Sequence, residues 1–225
     1  NQFGGNTTMG MVSVWHALWD TAGRRQIIAG LTAELVAAMA ARGCVAERER
    51  TDPNWQYALV PAEVACELDA LVTAHRIRPF LHARVVAARS VDGSVQALVI
   101  EDKAGRRAIR ARAFVDASGD ADLVRLAGGA TGTQDHLQPP TTAALVAGLQ
   151  ALRRQVPGFN LNRTVFAPGG LRPGFLWSYE LPAPGDLTGV FGSRVHGADC
   201  SDADQLTRAE MEGRRQVRAM IDLVR

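Results

Sequence analysis

A-F-V-D-A-S-G-D-A-D-L-V-R-L-A-G-G, from Ala113 to Gly129, is the stretch on which the reading of this chain turns. Ala113, Phe114, Val115 and Ala117 have the character of an extended strand, and Leu123, Val124, Leu126 and Ala127 recur with helical spacing. Between them Ser118-Gly119-Asp120 reads as a tight turn. Gly119 admits a positive φ or the close approach of a ligand to the backbone. Asp120 or Asp122 is placed to cap the helix, where a carboxylate satisfies orphan N–H groups. A strand ending in such a turn presents backbone donors above the sheet edge, where open α/β sheets bind ligands. An ordinary capped strand-to-helix connection reads equally well from these residues alone.

Composition narrows the class. The 225 residues suffice for one substantial domain or two small ones, and 47% hydrophobic with 21% charged residues is a globular balance. A net charge of +2, with arginines scattered through the chain, excludes a nucleic-acid footprint. Cys44, Cys66 and Cys200 are widely spaced, with no C-x-x-C pair, which fits reduced thiols in a cytoplasmic protein and neither a disulfide scaffold nor a metal site. No apolar run is long enough to span a bilayer.

Upstream of the central stretch, Asn1 to Gly10 is a loop dense in Gly, Asn and Thr, either a phosphate or ring-edge cradle or simply flexible chain. Val12 to Trp19 is apolar with His16 embedded. The spacing of Ile27, Ile28, Leu31, Leu35, Val36 and Met39 predicts an amphipathic helix over Arg25 to Arg42, stopped by Gly43. Glu47 to Asn54 reads as a solvated loop. Tyr57 to Val60 reads as a short strand, and Pro61 opens a second helix through about Ala74. A short parallel-type strand is expected at Ile77 to Leu81. Asp92-Gly93 between Val85-Val86-Ala87 and Val95-Ala97-Val99 signals a hairpin, and Lys103-Ala104-Gly105 a second turn, giving a three-stranded meander ahead of Phe114.

Downstream, Thr141 to Leu149 is small and apolar without a decisive period, and Arg153 to Pro173 is expected to be a long irregular connection. Phe175, Trp177 and Tyr179 alternate on an expected strand over Gly174 to Leu181, which places them on one face as packing residues. Leu187 to Val195 reads as a strand, and Thr207 to Arg225 as a helix.

Taken together, three segments resemble the FAD-dependent oxidoreductases of the glutathione-reductase-like superfamily, and more narrowly those related to fumarate reductase flavoproteins. FGGNTTMG, Phe3 to Gly10, is similar to that family's Gly-Gly-x-x-T-x-G loop. FVDASGDADLVRLAGG is similar to its I-D-A-T-G-D-G-D-L-A-x-x-A-G-A, with Ser118 for Thr and Ala121 for Gly. RVHGADCSDADQLTRAEMEGRRQV, Arg194 to Val217, resembles the segment that leads into a long helix.

The resemblance implies an α/β fold: a partial FAD-binding Rossmann-like domain over residues 1–129, with the antiparallel meander inserted at about 83–112. Residues 130–205 would form part of a second, α+β substrate lobe, and 206–225 a helix. It implies FAD as cofactor, a small-molecule substrate, and transfer of a hydride or electron pair between the two. Gly4, Gly5, Thr7, Thr8 and Gly10 would line the isoalloxazine and ribityl side. Ala117, Ser118, Gly119 and Asp120 would approach the phosphates and ribose, and the backbone at Arg84 and Val85 the adenine edge. His16, His196 and Arg194 are the candidates for the acid or base, and no single residue is singled out as catalytic. The family's opening strand, G-x-G-x-x-G turn and helix are not among these residues, nor is its later Gly-Asp segment. The chain therefore reads as the middle of a flavoprotein that would hold FAD weakly by itself. Two other readings stand beside this one: a non-catalytic remnant or subunit completed by a partner chain or a second copy, and a nicotinamide-binding domain.

Overall fold

A computed structural model describes residues 2–47, 55–168, 170, 176–182 and 185–225. In chain order its elements are α1 (Gly5–Thr8), β1 (Val14–His16), α2 (Leu31–Ala41), β2 (Val45–Glu47), β3 (Gln56–Leu59), α3 (Pro61–Ala74), β4 (Arg84–Val91), β5 (Ser94–Asp102) and β6 (Gly105–Ile109). They continue with α4 (Asp122–Leu126), β7 (Ala143–Ala147), α5 (Leu149–Gln155), α6 (Leu161–Val165), β8 (Trp177–Glu180), β9 (Leu187–Phe191) and α7 (Ala203–Asp222). The fold is mixed α/β, with three small antiparallel sheets ordered β1-β3-β2, β4-β5-β6 and β7-β9-β8. This is consistent with part of an FAD-binding domain. The chain divides into two compact units, one of Arg78–Leu137 and one of Gln2–Ile77 with Gln138–Arg225.

In the smaller unit the expected meander forms. Asp92 and Gly93 take φ of 48° and 73°, the left-handed pair of a two-residue hairpin whose twist matches its strands. The register slips between Val85 and Ala87, a bulge at the start of β4. Phe80 lies under two guanidinium groups, Arg78 at 5.1 Å and Arg107 at 5.4 Å from the ring centre. Residues 77–81 are not a strand, and neither are 113–117, contrary to expectation. An extended, apolar sequence becomes a strand only where a neighbour accepts and donates its ladder bonds, and among the described residues none pairs with either segment. Val115, read as a strand residue, is 89% exposed.

In the larger unit α2 starts at Leu31, six residues later than its periodicity predicts. The chain before it turns back instead: Trp19 bridges Gln26, and the N–H groups of Ile27 and Ile28 both donate to the Leu18 carbonyl. The predicted stop holds. Gly43 has φ +70°, its N–H reaches Ala40 and that of Cys44 reaches Met39, the paired bonds of a glycine-terminated helix. Pro61 opens α3 as expected. Leu35, Met39, Tyr57, Leu59 and Val64 make the core between α2, α3 and the first sheet.

The ambiguous Thr141–Leu149 segment is β7, and β9 ends at Phe191, before the expected Val195. The connection expected to be irregular after Arg153 contains the end of α5 and all of α6, the latter capped by Asn160 through the Arg163 N–H. Asp186, in the turn before β9, caps α5 from a distance by accepting from Gln150 and Ala151 at 2.8 and 2.6 Å. Burial pushes its pKa up, but these bonds and the charges of Arg154 and Arg153 outweigh that and hold it below the usual carboxylate range. Trp177 and Tyr179 do share one face of β8, where Trp177 stacks on Phe191 at 4.0 Å and 4°. Gly174 and Phe175, and residues 48–54 of the expected loop, lie outside the described residues. The last helix, α7, begins at Ala203 with Asp202 as its cap, a turn before the sequence pattern places it.

Candidate functional site

The expected cofactor residues divide between the two units, and each group has its own geometry. In the smaller unit the turn at Ser118 is built by Asp116, not by Asp120 or Asp122 as expected. One Asp116 oxygen accepts from the Ser118 N–H at 3.0 Å and its hydroxyl at 2.6 Å, and the other accepts from the Val124 N–H at 3.1 Å. Ser118 Oγ in turn accepts from the Asp122 N–H at 2.9 Å. An acceptor capping α4 must precede the turn, because Ala121 at the N-cap sits at φ +55° and carries no side-chain oxygen. The Ser118 hydroxyl, with backbone bonds from Ser118, Val124 and Leu123, holds the Asp116 carboxyl below the usual range. Asp-x-Ser is a side-chain turn signal visible in the sequence, and it identifies Asp116.

With Ser118 and Asp122 tied in this way, the N–H groups of Gly119 and Asp120 donate to no acceptor among the described residues. Gly119 has φ +92°, and nothing stands within 4 Å of where its Cβ would be. The turn thus shows two adjacent donors to open space, flanked by the exposed Asp120 carboxylate. Arg84 and Val85 begin β4, an edge strand, so part of their backbone has no ladder partner. Ala117 is exposed immediately before the turn.

In the larger unit the Gly4–Gly10 segment is a single helical turn. Thr8 is buried, and its hydroxyl donates to the Phe3 carbonyl at 2.7 Å. Thr7 Oγ accepts from Trp15 Nε1 at 3.1 Å, and its carbonyl accepts from Ser13 Oγ at 2.5 Å. Gly4, at φ +98°, leaves room for nothing larger, since a Cβ there would be 3.0 Å from Leu68 of α3. At Gly10 a Cβ would fall 2.8 Å from the Asn6 carbonyl. Gly5 faces open space. The glycines and threonines therefore fold the loop onto α3, and what the loop offers a ligand is the exposed backbone at Gly4, Gly5 and Asn6.

The three candidate side chains are not brought together around a cleft. His16 is exposed on the edge strand β1, and His196 is exposed beyond β9. Arg194 is a clamp: its guanidinium donates to Thr141 Oγ1 at 2.8 Å and to the Ser193 carbonyl at 2.6 Å. Gln216 of α7 bonds both the N–H and the carbonyl of Arg194, at 2.7 and 3.1 Å. Buried Ser193 completes the knot by accepting from the Thr142 N–H at 2.7 Å. Sequence reasoning missed Ser193 and Gln216, since neither carries a pattern until the strand and helix are placed side by side.

The donor set suits a cofactor with phosphates and hydroxyls. A family profile described as FAD dependent oxidoreductase matches residues 1–225. The chain belongs to that family. FAD is therefore its cofactor, and it is a flavoprotein of the oxidoreductase class. Nothing among the curated proteins or the solved structures matches it. No group of ligating side chains that could hold a metal occurs among the described residues, and no helix among them is long and apolar enough to cross a membrane.

Proposed function

We propose that this chain supplies two sets of contacts to FAD, and that the reaction passes a hydride or electron pair between the flavin and a small organic substrate in the cytoplasm. The turn at residues 118–120 carries the reading, because it combines two unspent backbone donors with a glycine whose surroundings are open. Adjacent N–H groups in a turn suit phosphate oxygens. The Asp120 carboxylate repels phosphate and instead accepts from a ribose or ribityl hydroxyl. The work divides accordingly, with the backbone of Ala117 to Gly119 toward phosphate and Asp120 toward sugar.

Arg84 and Val85 would offer edge-strand backbone to the adenine. Gly4, Gly5 and Gly10 would keep the first loop flat enough for a ring to approach, with Thr7 and Thr8 holding its shape. When bound, FAD supplies the two-electron chemistry, and the protein supplies binding and orientation. Residues 1–129 would serve the cofactor, 130–205 would shape the substrate side, and 206–225 the helix behind it.

Replacing Gly119 by Ala tests the reading. Fluorescence titration should show FAD affinity reduced by about tenfold or more, since the methyl group obstructs the donors and opposes the positive φ. The FAD-free protein should itself lose about 1–2 kcal/mol to the strain of an Ala at positive φ, with no steric clash added because no neighbour lies within 4 Å, so the titration is run where both forms are folded. Unaltered affinity would remove the turn from the cofactor site.

A further inference from the structure

Asp116 works entirely inside the turn it builds. One oxygen accepts from the Ser118 N–H and hydroxyl, the other from the Val124 N–H, and the Ser118 hydroxyl passes the connection on to the Asp122 N–H. Among the described residues, every hydrogen bond that reaches residues 118–120 runs through that carboxylate or through the hydroxyl it holds. Packing adds no second restraint. Ser118, Gly119 and Asp120 are exposed, and nothing stands within 4 Å of where Gly119 would carry a Cβ. The two outward N–H groups therefore keep their aim only while Asp116 holds the turn.

The same carboxylate has a second effect, of opposite sign. A negative charge behind donors that serve a phosphate repels the phosphate, so Asp116 favours binding only where its hold on the turn exceeds its charge. Asparagine in its place separates the two effects. The amide oxygen still accepts from Ser118, but the NH2 group meets the Val124 N–H, donor against donor, and the repelling charge is gone.

Resting on the reading of the turn proposed above, we infer that Asp116 is a positioning residue for the FAD phosphates. It does not contact the cofactor; it fixes residues 118–124 so that the Gly119 and Asp120 N–H groups stay side by side and face outward. Charge alone predicts tighter FAD binding for Asp116→Asn, and positioning predicts weaker binding.

Equilibrium dialysis of the full chain against FAD and, separately, against riboflavin, which has the ring and ribityl chain without phosphate, provides the test. The unaltered chain should prefer FAD by at least about tenfold, and Asp116→Asn and Asp116→Ala should each cut that preference by about fivefold or more while riboflavin affinity stays the same. Ile100→Val separates this from a general loss of stability. It thins the buried core of the same unit away from the turn, so it should lower the thermal midpoint and leave the preference intact. A preference kept by either Asp116 variant, raised in Asp116→Asn, or lost as far in Ile100→Val overturns the inference and leaves the turn in the cofactor site. An unaltered chain that takes up FAD no better than riboflavin removes the turn from the phosphate site, and overturns the role of Asp116 with it.

Discussion

Thr188 is fully buried in the middle of β9, and its hydroxyl has no hydrogen-bond partner among the described residues. A buried unsatisfied hydroxyl costs about 1–3 kcal/mol, so the isosteric Thr188→Val should stabilise the protein by roughly 1 kcal/mol, read as a raised urea midpoint. An unchanged or lowered midpoint would mean that the hydroxyl is satisfied. Glu212 shows the opposite case of a polar group fully used. Bonds from Arg215, both at 2.7 Å, and from Gln216 lower its pKa from 4.5 to about 2. A folded-state pKa below the unfolded one adds stability that is complete above about pH 4.5 and is lost as pH falls toward 2. Glu212→Gln should therefore flatten the dependence of unfolding free energy on pH across that window, and an unchanged slope would contradict the pairing. At this scale the sequence was legible where a residue acts through its own turn: Asp92-Gly93 and Gly43 behave as their types require. It was half right at Asp122, which does stand in the first turn of α4, but the side-chain acceptor that serves the helix N-terminus is Asp116 on the far side of the turn.

Among the elements, α7 depends on a close approach. A Cβ on Gly213 would lie on the Thr142 hydroxyl, and Thr142 cannot withdraw because its N–H and carbonyl are both bonded to Ser193 Oγ, at 2.7 and 3.2 Å. Gly213→Ala should destabilise the protein by about 1–3 kcal/mol despite its better helix propensity, as measured by urea denaturation. A stabilised variant would show that α7 can move away. Helices were more legible than strands in this chain. The periodicity of α3 and the glycine stop after α2 are local, so three- and four-residue spacing nearly suffices for them, whereas α6 lies in a stretch read as irregular and α7 starts a turn early. The strands at 77–81 and 113–117 failed because strand character is conferred by a neighbour, and local sequence carries no information about whether one is there. The Gln26–Ile28 segment failed for the reverse reason: its apolar period fits a helix, but pairing with Leu18 and Trp19 holds it extended.

For the whole molecule, family membership and mixed α/β architecture were legible because three motifs in order constrain one another, although each is weak alone. The candidate site was legible only as positions. Which groups remain available for a ligand emerges once the internal bonds are assigned, and these remove the Thr8 hydroxyl and the Arg194 guanidinium from consideration while leaving the Gly119 and Asp120 donors. We propose that those donors hold FAD in concert with a phosphate-binding helix N-terminus. The test is the visible spectrum after gel filtration of the 225 residues joined at Asn1 to a strand–G-x-G-x-x-G–helix unit and incubated with FAD. The flavin bands should travel with the protein at about one FAD per chain, and the Gly119→Ala form should lose most of them. Flavin eluting entirely apart from the protein, with the phosphate-binding unit in place, would contradict it.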